Sequence, residues 1–227
     1  MSKSLVDELF EDVHVRHGLE ACINCGMCTS VCPAALVYDY DPRVLVNLVE
    51  KRDEQTIEEL LKSDYIWYCG ECMSCTTRCP RNNSPGEIVI ALRHLSQRKG
   101  LFIHSARGRQ QYAVLKTVGG SILGKGYCVY FDDLTLERFP EQGPTWDWVR
   151  KNRHQILNKV GAAYKEAKAG PMRKIAESDL AELKKIFDVT GGSELYEIIE
   201  EKSREVMKKK GKDEESYFNE VYESPVK

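Results

Sequence analysis

The chain lacks any long apolar run. No uninterrupted stretch approaches the ~20 residues of a membrane-spanning helix. The first ten residues, Met1-Ser-Lys-Ser-Leu-Val-Asp-Glu-Leu-Phe10, carry acids where an export signal needs an apolar core. It also lacks a charge excess. Lys and Arg total 33 against 35 Asp and Glu, a net charge of −2. No overall field favours nucleic acid, and no nucleic-acid partner is expected. There is no Cys-Cys pair, no flavin-binding fingerprint and no obvious acid–base pair, which argues against a substrate site of the chain's own. What the sequence has in number is cysteine, nine in 227 residues. Abundant thiols without an export signal point to the cytoplasm.

Eight of the nine cysteines fall in two runs of one pattern. The first is Cys22-Ile-Asn-Cys25-Gly-Met-Cys28-Thr-Ser-Val-Cys32-Pro33. The second is Cys69-Gly-Glu-Cys72-Met-Ser-Cys75-Thr-Thr-Arg-Cys79-Pro80. Both read C-x2-C-x2-C-x3-C-P, the spacing of bacterial ferredoxin clusters. Three closely spaced cysteines let one short loop wrap a cubane, and the fourth, ahead of proline, leaves that loop. In two-cluster ferredoxins this fourth cysteine ligates the other cluster. On that pattern one [4Fe–4S] cluster takes Cys22, Cys25, Cys28 and Cys79, and the other takes Cys69, Cys72, Cys75 and Cys32. Structural zinc is the first rival, but its usual spacing is two CxxC pairs across a longer loop. A disulfide framework needs an oxidising compartment. With every cluster position filled by thiolate, no iron is open to act as a Lewis acid. Electron transfer is therefore expected, and catalysis at iron is not. The spacers of the second run are the more polar, so its cluster is expected at the higher potential.

Helical signals surround the runs. Leu5, Val6, Leu9, Phe10 and Val13 share one face over residues 4–17, and Gly18 can end that helix. His14 and His17 lie near Cys22, but surface or hydrogen-bonding roles suit them better than ligation. Between the runs, 36 residues carry Asp41-Pro42, an N-cap with proline at the first helical position, followed by Val44, Leu45, Leu48 and Val49. Ile57, Leu60 and Leu61 mark a second helix there. Ile66, Trp67 and Tyr68 read as apolar cover for the second cluster. Ser84-Pro85-Gly86-Glu87 has the form of a capping box. It opens a helix with Ile88, Val89, Leu92 and Leu95 that ends near Gly100. The apolar content around the cysteines is thin, so cluster binding should supply much of this domain's folding free energy.

Two such runs with helices between and after them resemble the α-helical ferredoxin domain. That domain occurs in the C subunit of heterodisulfide reductase and, behind an extra [2Fe–2S] domain, in the iron–sulfur subunit of succinate dehydrogenase. Only 21 residues precede the first run, so the extra domain is not expected and the heterodisulfide reductase protein is the nearer likeness. The resemblance covers about residues 1–105. It implies two [4Fe–4S] clusters on Cys22, Cys25, Cys28, Cys32, Cys69, Cys72, Cys75 and Cys79. It also implies partners: a catalytic subunit with CCG repeats and a flavin-containing subunit or membrane carrier, with electrons relayed between them. Peripheral membrane association through such a complex and homo-oligomerisation both stay open. The other class of function is an iron–sulfur redox sensor or a structural binding protein.

The expected fold class is thus all-α: an α-helical ferredoxin domain over 1–105, a mainly helical extension over 106–211, and a flexible or partner-docking tail over 212–227. Within the extension, Gly119-Gly-Ser-Ile-Leu-Gly124-Lys125-Gly126 nearly spells a phosphate-binding loop but lacks its final Ser/Thr, so a glycine-rich turn is expected. Tyr127–Phe131 reads as a short strand with Cys128 buried in it. A long helix is expected over about 146–169, another from Ser178, and a third from Ser193 into Lys208-Lys209-Lys210. The tail holds Tyr217, Phe218, Val221 and Tyr222, a set that cannot bury itself alone. The length of this C-terminal part resembles the heterodisulfide-reductase-like complexes of sulfur oxidisers.

Overall fold

The computed structural model describes residues 3–223. Among them every regular element is helical. The N-terminal segment forms two helices, α1 (Leu5–Glu11) and α2 (Val13–Gly18), where one was expected. Asp12 makes the break. Its backbone is extended and its carboxylate accepts the His14 N–H at 2.9 Å, capping α2. A side chain that satisfies the next helix's open donors competes with continuing the first. The first cysteine run contains the short α3 (Met27–Ser30).

The helices between and after the runs follow their sequence signals. In α4 (Pro42–Glu50) the Asp41 carboxylate accepts the Arg43 N–H at 2.8 Å, and Pro42 opens the helix. In α5 (Glu54–Lys62) Asp53 does the same for Thr56, also at 2.8 Å. The helix α6 (Pro85–Arg98) begins at proline, but Ser84 does not form the expected capping box. Its hydroxyl is paired with Thr76 Oγ1 at 2.7 Å, and its N–H donates to the Gly18 carbonyl at 2.7 Å. Leu45, Val49, Ile57, Leu61, Ile88, Val89 and Leu92 are completely buried and form one core with Leu9, Val15 and Ile66. Apolar content is therefore concentrated in the helices. Neither cysteine run contains a buried residue.

Contacts divide the chain into two units, Met1–Gln111 with Glu197–Lys227, and Tyr112–Tyr196. The second unit departs most from its sequence signals. After α7 (Gln111–Val114) a π-helical turn, Leu115–Gly119, runs straight into α8 (Gly120–Lys125). The glycine-rich segment is helix, so its N–H groups do not form a phosphate cradle. Tyr127–Phe131 is not a strand, and Cys128 is exposed rather than buried. The long helix expected over 146–169 is broken at Asn152 into α9 (Thr145–Lys151) and α10 (Arg153–Lys159), and turns follow to Ala176. Next come α11 (Glu177–Val189) and α12 (Gly192–Lys210), the latter passing into the first unit.

The last helix, α13 (Glu214–Tyr222), belongs to the first unit. Asp213 caps it by accepting the Ser216 N–H at 2.8 Å. Tyr217, Phe218 and Val221 are buried, and α13 lies against the turn Gly108–Gln110. Apolar residues expected to need a partner or to stay mobile are thus covered by the chain itself. Residues 224–227 of that expected tail lie outside the described residues.

Candidate iron–sulfur centre

The two runs share one backbone path. Asn24 and Glu71, each two residues after the first cysteine of its run, have φ of 57° and 52°. Gly26 and Met73, each just after the second cysteine, have φ of 76° and 56°. Each loop therefore turns left-handed on both sides of its second cysteine. For a residue with a Cβ that conformation costs roughly 1–2 kcal/mol, and no buried side chain within the runs offsets it. The turned backbone aims amides at sulfur. Asn24 N donates to Cys22 Sγ at 3.4 Å, Glu71 N to Cys69 Sγ at 3.3 Å, and Asn83 N to Cys79 Sγ at 3.3 Å.

The thiols surround two cavities. Cys22, Cys25, Cys28 and Cys79 line the first, with Arg43, Asn83 and Pro85. Cys32, Cys69, Cys72 and Cys75 line the second, with Tyr40, Pro42 and Pro85. Each cavity takes three cysteines from one run and the fourth from the other. The starts of α4 and α6 lie at the cavity walls: Pro42 borders the second and Arg43 the first, while Pro85 borders both. A helix start carries partial positive charge and favours an anionic group. Cys25 and Cys72, the second cysteines of their runs, are exposed.

The charge environment is set by specific neighbours. Burial pushes the Cys28 and Cys69 thiols up, and the Ser74 hydroxyl pulls Cys72 down. Burial, then the Cys69 and Cys32 sulfurs, raises the Tyr40 phenol far above its ordinary range. Tyr40 is held by Tyr65, 4.9 Å away ring to ring, and by Tyr68. Arg93 of α6 clamps the entry to the second run. It donates to the Ile66 carbonyl at 2.8 Å and the Cys69 carbonyl at 2.6 Å, pairs with Glu71, and lies over the Trp67 ring. On the first side, Glu50 Oε1 accepts the Cys22 N–H at 2.8 Å. Asn83 is 2% exposed; its Oδ1 accepts the Glu20 N–H at 2.5 Å, while its Nδ2 is buried with no partner.

The donor set suits a cluster better than a single ion. Among the described residues, no three His, Cys, Asp or Glu side chains converge enough to hold one metal ion. A mononuclear zinc site needs four donors within about 2.3 Å of one point, whereas these thiols ring a space, as the corner irons of a cubane require. The orphan Asn83 amide beside the first cavity also fits a sulfur-rich anion, an acceptor the protein itself does not supply. His14 is engaged with Asp12 at 2.9 Å, and neither it nor His17 lines either of these two cavities. Arg93, Tyr40 and Asn83 were not singled out by sequence. Asn83 follows Cys79 by four residues and carried a positional hint; Tyr40 and Arg93 carried none.

Comparison with known proteins agrees with this reading. A family described as the 4Fe-4S dicluster domain matches residues 18–83. The C subunit of ferredoxin:CoB-CoM heterodisulfide reductase from Methanosarcina acetivorans is 48% identical over 164 residues, 71% of this chain and 62% of that protein. The second iron-sulfur C subunit of CoB–CoM heterodisulfide reductase from Methanocaldococcus jannaschii is 31% identical over 167 residues, 69% of this chain and 83% of its own. The chain belongs to the family of heterodisulfide reductase C subunits. A further member, from Methanopyrus kandleri, is 34% identical over 103 residues, 45% of this chain and 52% of that protein. The chain thus spans 62% and 52% of the Methanosarcina and Methanopyrus proteins. A match of 164 residues outruns the 105-residue cluster domain, so part of the C-terminal half is shared with a CoB–CoM reductase protein. The length of that half therefore does not single out the sulfur-oxidiser complexes.

Proposed function

We propose that this chain is the electron-transfer subunit of a heterodisulfide reductase or heterodisulfide-reductase-like complex. It holds two [4Fe–4S] clusters, one on Cys22, Cys25, Cys28 and Cys79, the other on Cys69, Cys72, Cys75 and Cys32. It relays single electrons between a CCG-containing catalytic subunit and a flavin-containing subunit or membrane carrier. The observation that carries this reading is the grouping of thiols, three from one run and one from the other around each of two cavities.

When bound, each cluster supplies a store for one electron at a potential set by its surroundings. The rest of the work falls to the chain. Four thiolates per cavity leave no corner open to substrate. Amide donors at Cys22, Cys69 and Cys79 stabilise thiolate charge. The starts of α4 and α6 offset the negative charge of both groups. Exposure of Cys25 and Cys72 puts one edge of each centre at the surface, where a partner's carrier can approach. Among the described residues no helix is long and apolar enough to cross a membrane, so membrane contact would come through the complex.

The test is an anaerobic iron and sulfide count with EPR of the dithionite-reduced protein. About eight irons with spin-coupled cubane signals are expected; zinc in either quartet would overturn the assignment. Native purification should bring CCG-containing and flavin-containing partners. Retention that depends on DNA, with clusters of fixed oxidation state, would favour the sensor class instead.

A further inference from the structure

The side chain of Asn83 presents an unusual combination. It is 2% exposed, it lines the first cavity, and its Nδ2 has no partner among the protein's own atoms. A buried amide donor without an acceptor costs about 1–3 kcal/mol. The orientation of the amide is fixed, because the other branch, Oδ1, accepts the Glu20 N–H at 2.5 Å. The backbone N–H of Asn83 already donates to Cys79 Sγ at 3.3 Å. The residue is anchored on two sides with one donor left over.

The second cavity has its own buried donor of a different kind. Tyr40 is 4% exposed, lines that cavity beside Cys32 and Cys69, and is held against the Tyr65 ring at 4.9 Å. Both residues lie outside the cysteine runs. The hydroxyl of Thr29, next to Cys28 in the chain, donates to Asp41 Oδ1 at 2.5 Å.

We infer that Asn83 donates a hydrogen bond from Nδ2 to sulfur of the iron–sulfur group in the first cavity, and that Tyr40 is its counterpart for the second. This rests on the reading that each quartet holds a cluster. Reduction adds negative charge to a cluster, and a buried donor stabilises the reduced form more than the oxidised form. Each donor therefore raises the potential of its own centre and leaves the other nearly unmoved. The two potentials are set separately, by an amide on one side and a phenol on the other, and the polarity of the spacers in the runs does not decide their order alone.

The experiment is an anaerobic redox titration followed by EPR on the full chain. Cys25→Ser and Cys72→Ser, each altering one quartet, assign the signals. Asn83→Leu, close in size and neutral, should weaken reduction of the first centre about tenfold, a fall of about 59 mV for one electron, with the second centre unmoved. Asn83→Asp keeps an acceptor for the Glu20 N–H and removes the donor; it should lower the same potential. Tyr40→Phe should lower the second centre alone. Iron and sulfide are counted in each variant. A full count with an unmoved first-centre potential in Asn83→Leu overturns the inference for Asn83. So does an equal shift of both centres, the mark of a general structural role. If Asn83→Leu fails to load iron, Asn83→Ala, neutral and without the donor, decides by the same readout. A wild-type protein without about eight irons is a different failure, that of the cluster assignment.

Discussion

Removal of the Arg93 side chain should cost the chain its second centre while sparing the first. The guanidinium is 16% exposed and makes two hydrogen bonds to backbone carbonyls, at 2.8 Å to Ile66 and 2.6 Å to Cys69. Ile66 is completely buried, so its carbonyl cannot turn to water. Hydrogen bonds from a charged donor are worth about 1.5–3 kcal/mol each. The ion pair with Glu71 adds little, because that carboxylate is 41% exposed and screened. Arg93→Ala should therefore cost about 3–5 kcal/mol, against a total stability for a domain of roughly 5–15 kcal/mol. The cost falls where the second run enters its loop, and that run has no buried residue to absorb it. The expected result is loss of about half the iron, with the first centre's EPR signal kept and the helical far-UV signal largely intact. Arg93→Lys retains one of the two donations and should lie between. A full iron count in Arg93→Ala, with both centres as resistant to chelators as in the wild type, would refute this account of the clamp.

Removing the chain after Gly211 deletes the buried Tyr217, Phe218 and Val221; at about 1.5–3 kcal/mol each, the denaturation midpoint should fall clearly, and an unchanged midpoint would mean α13 does not stabilise the first unit. Gly26→Ala and Met73→Gly should have opposite signs. The first puts a Cβ on a φ of 76° and the second removes one from a φ of 56°, so iron retention at about 1 kcal/mol should fall in one and hold or improve in the other. The Lys99 ammonium, against the opposing effect of burial and aided by Arg98, holds the Glu8 carboxyl below its ordinary range. A lowered carboxylate contributes stability above the unfolded pKa, and that contribution is lost as pH falls through the folded value. Glu8→Gln should therefore destabilise at neutral pH in chemical denaturation, with the gap from wild type closing in acid; a gap that widens there would contradict the sign.

Much of the first unit was legible because its signals are local. Pro42 and Pro85 can open a helix and cannot continue one, and Asp41 and Asp53 offer acceptors where helix starts have spare donors. The misread places were decided by competition between partners. Ser84 has the right sequence for a capping box, but Thr76 takes its hydroxyl. Asp12 divides a continuous apolar face because its carboxylate caps the following turn. The glycine-rich segment before Gly126 resembled a turn, yet its residues continue a helix that follows a π-helical turn. Tyr217 and Phe218 resembled a stranded apolar pair, because the surface that covers them lies about a hundred residues earlier, at Gly108–Gln110.

The sequence by itself determined the chemistry on offer: eight thiols in two runs of one spacing, with proline after each, and helices on either side. Spacing can do this because a loop of three cysteines has few ways to wrap a compact group. Only the tertiary structure decided which side chains from elsewhere face those thiols. Arg93 reaches the second run from a helix more than twenty residues on, Tyr40 lines the second cavity with Cys69, 29 positions away in the chain, and the idle amide of Asn83 borders the first cavity. Such neighbours are set by how helices pack, and packing leaves no periodic mark in the chain. Asn83 and Tyr40 are also the groups we infer to adjust how readily each centre accepts an electron.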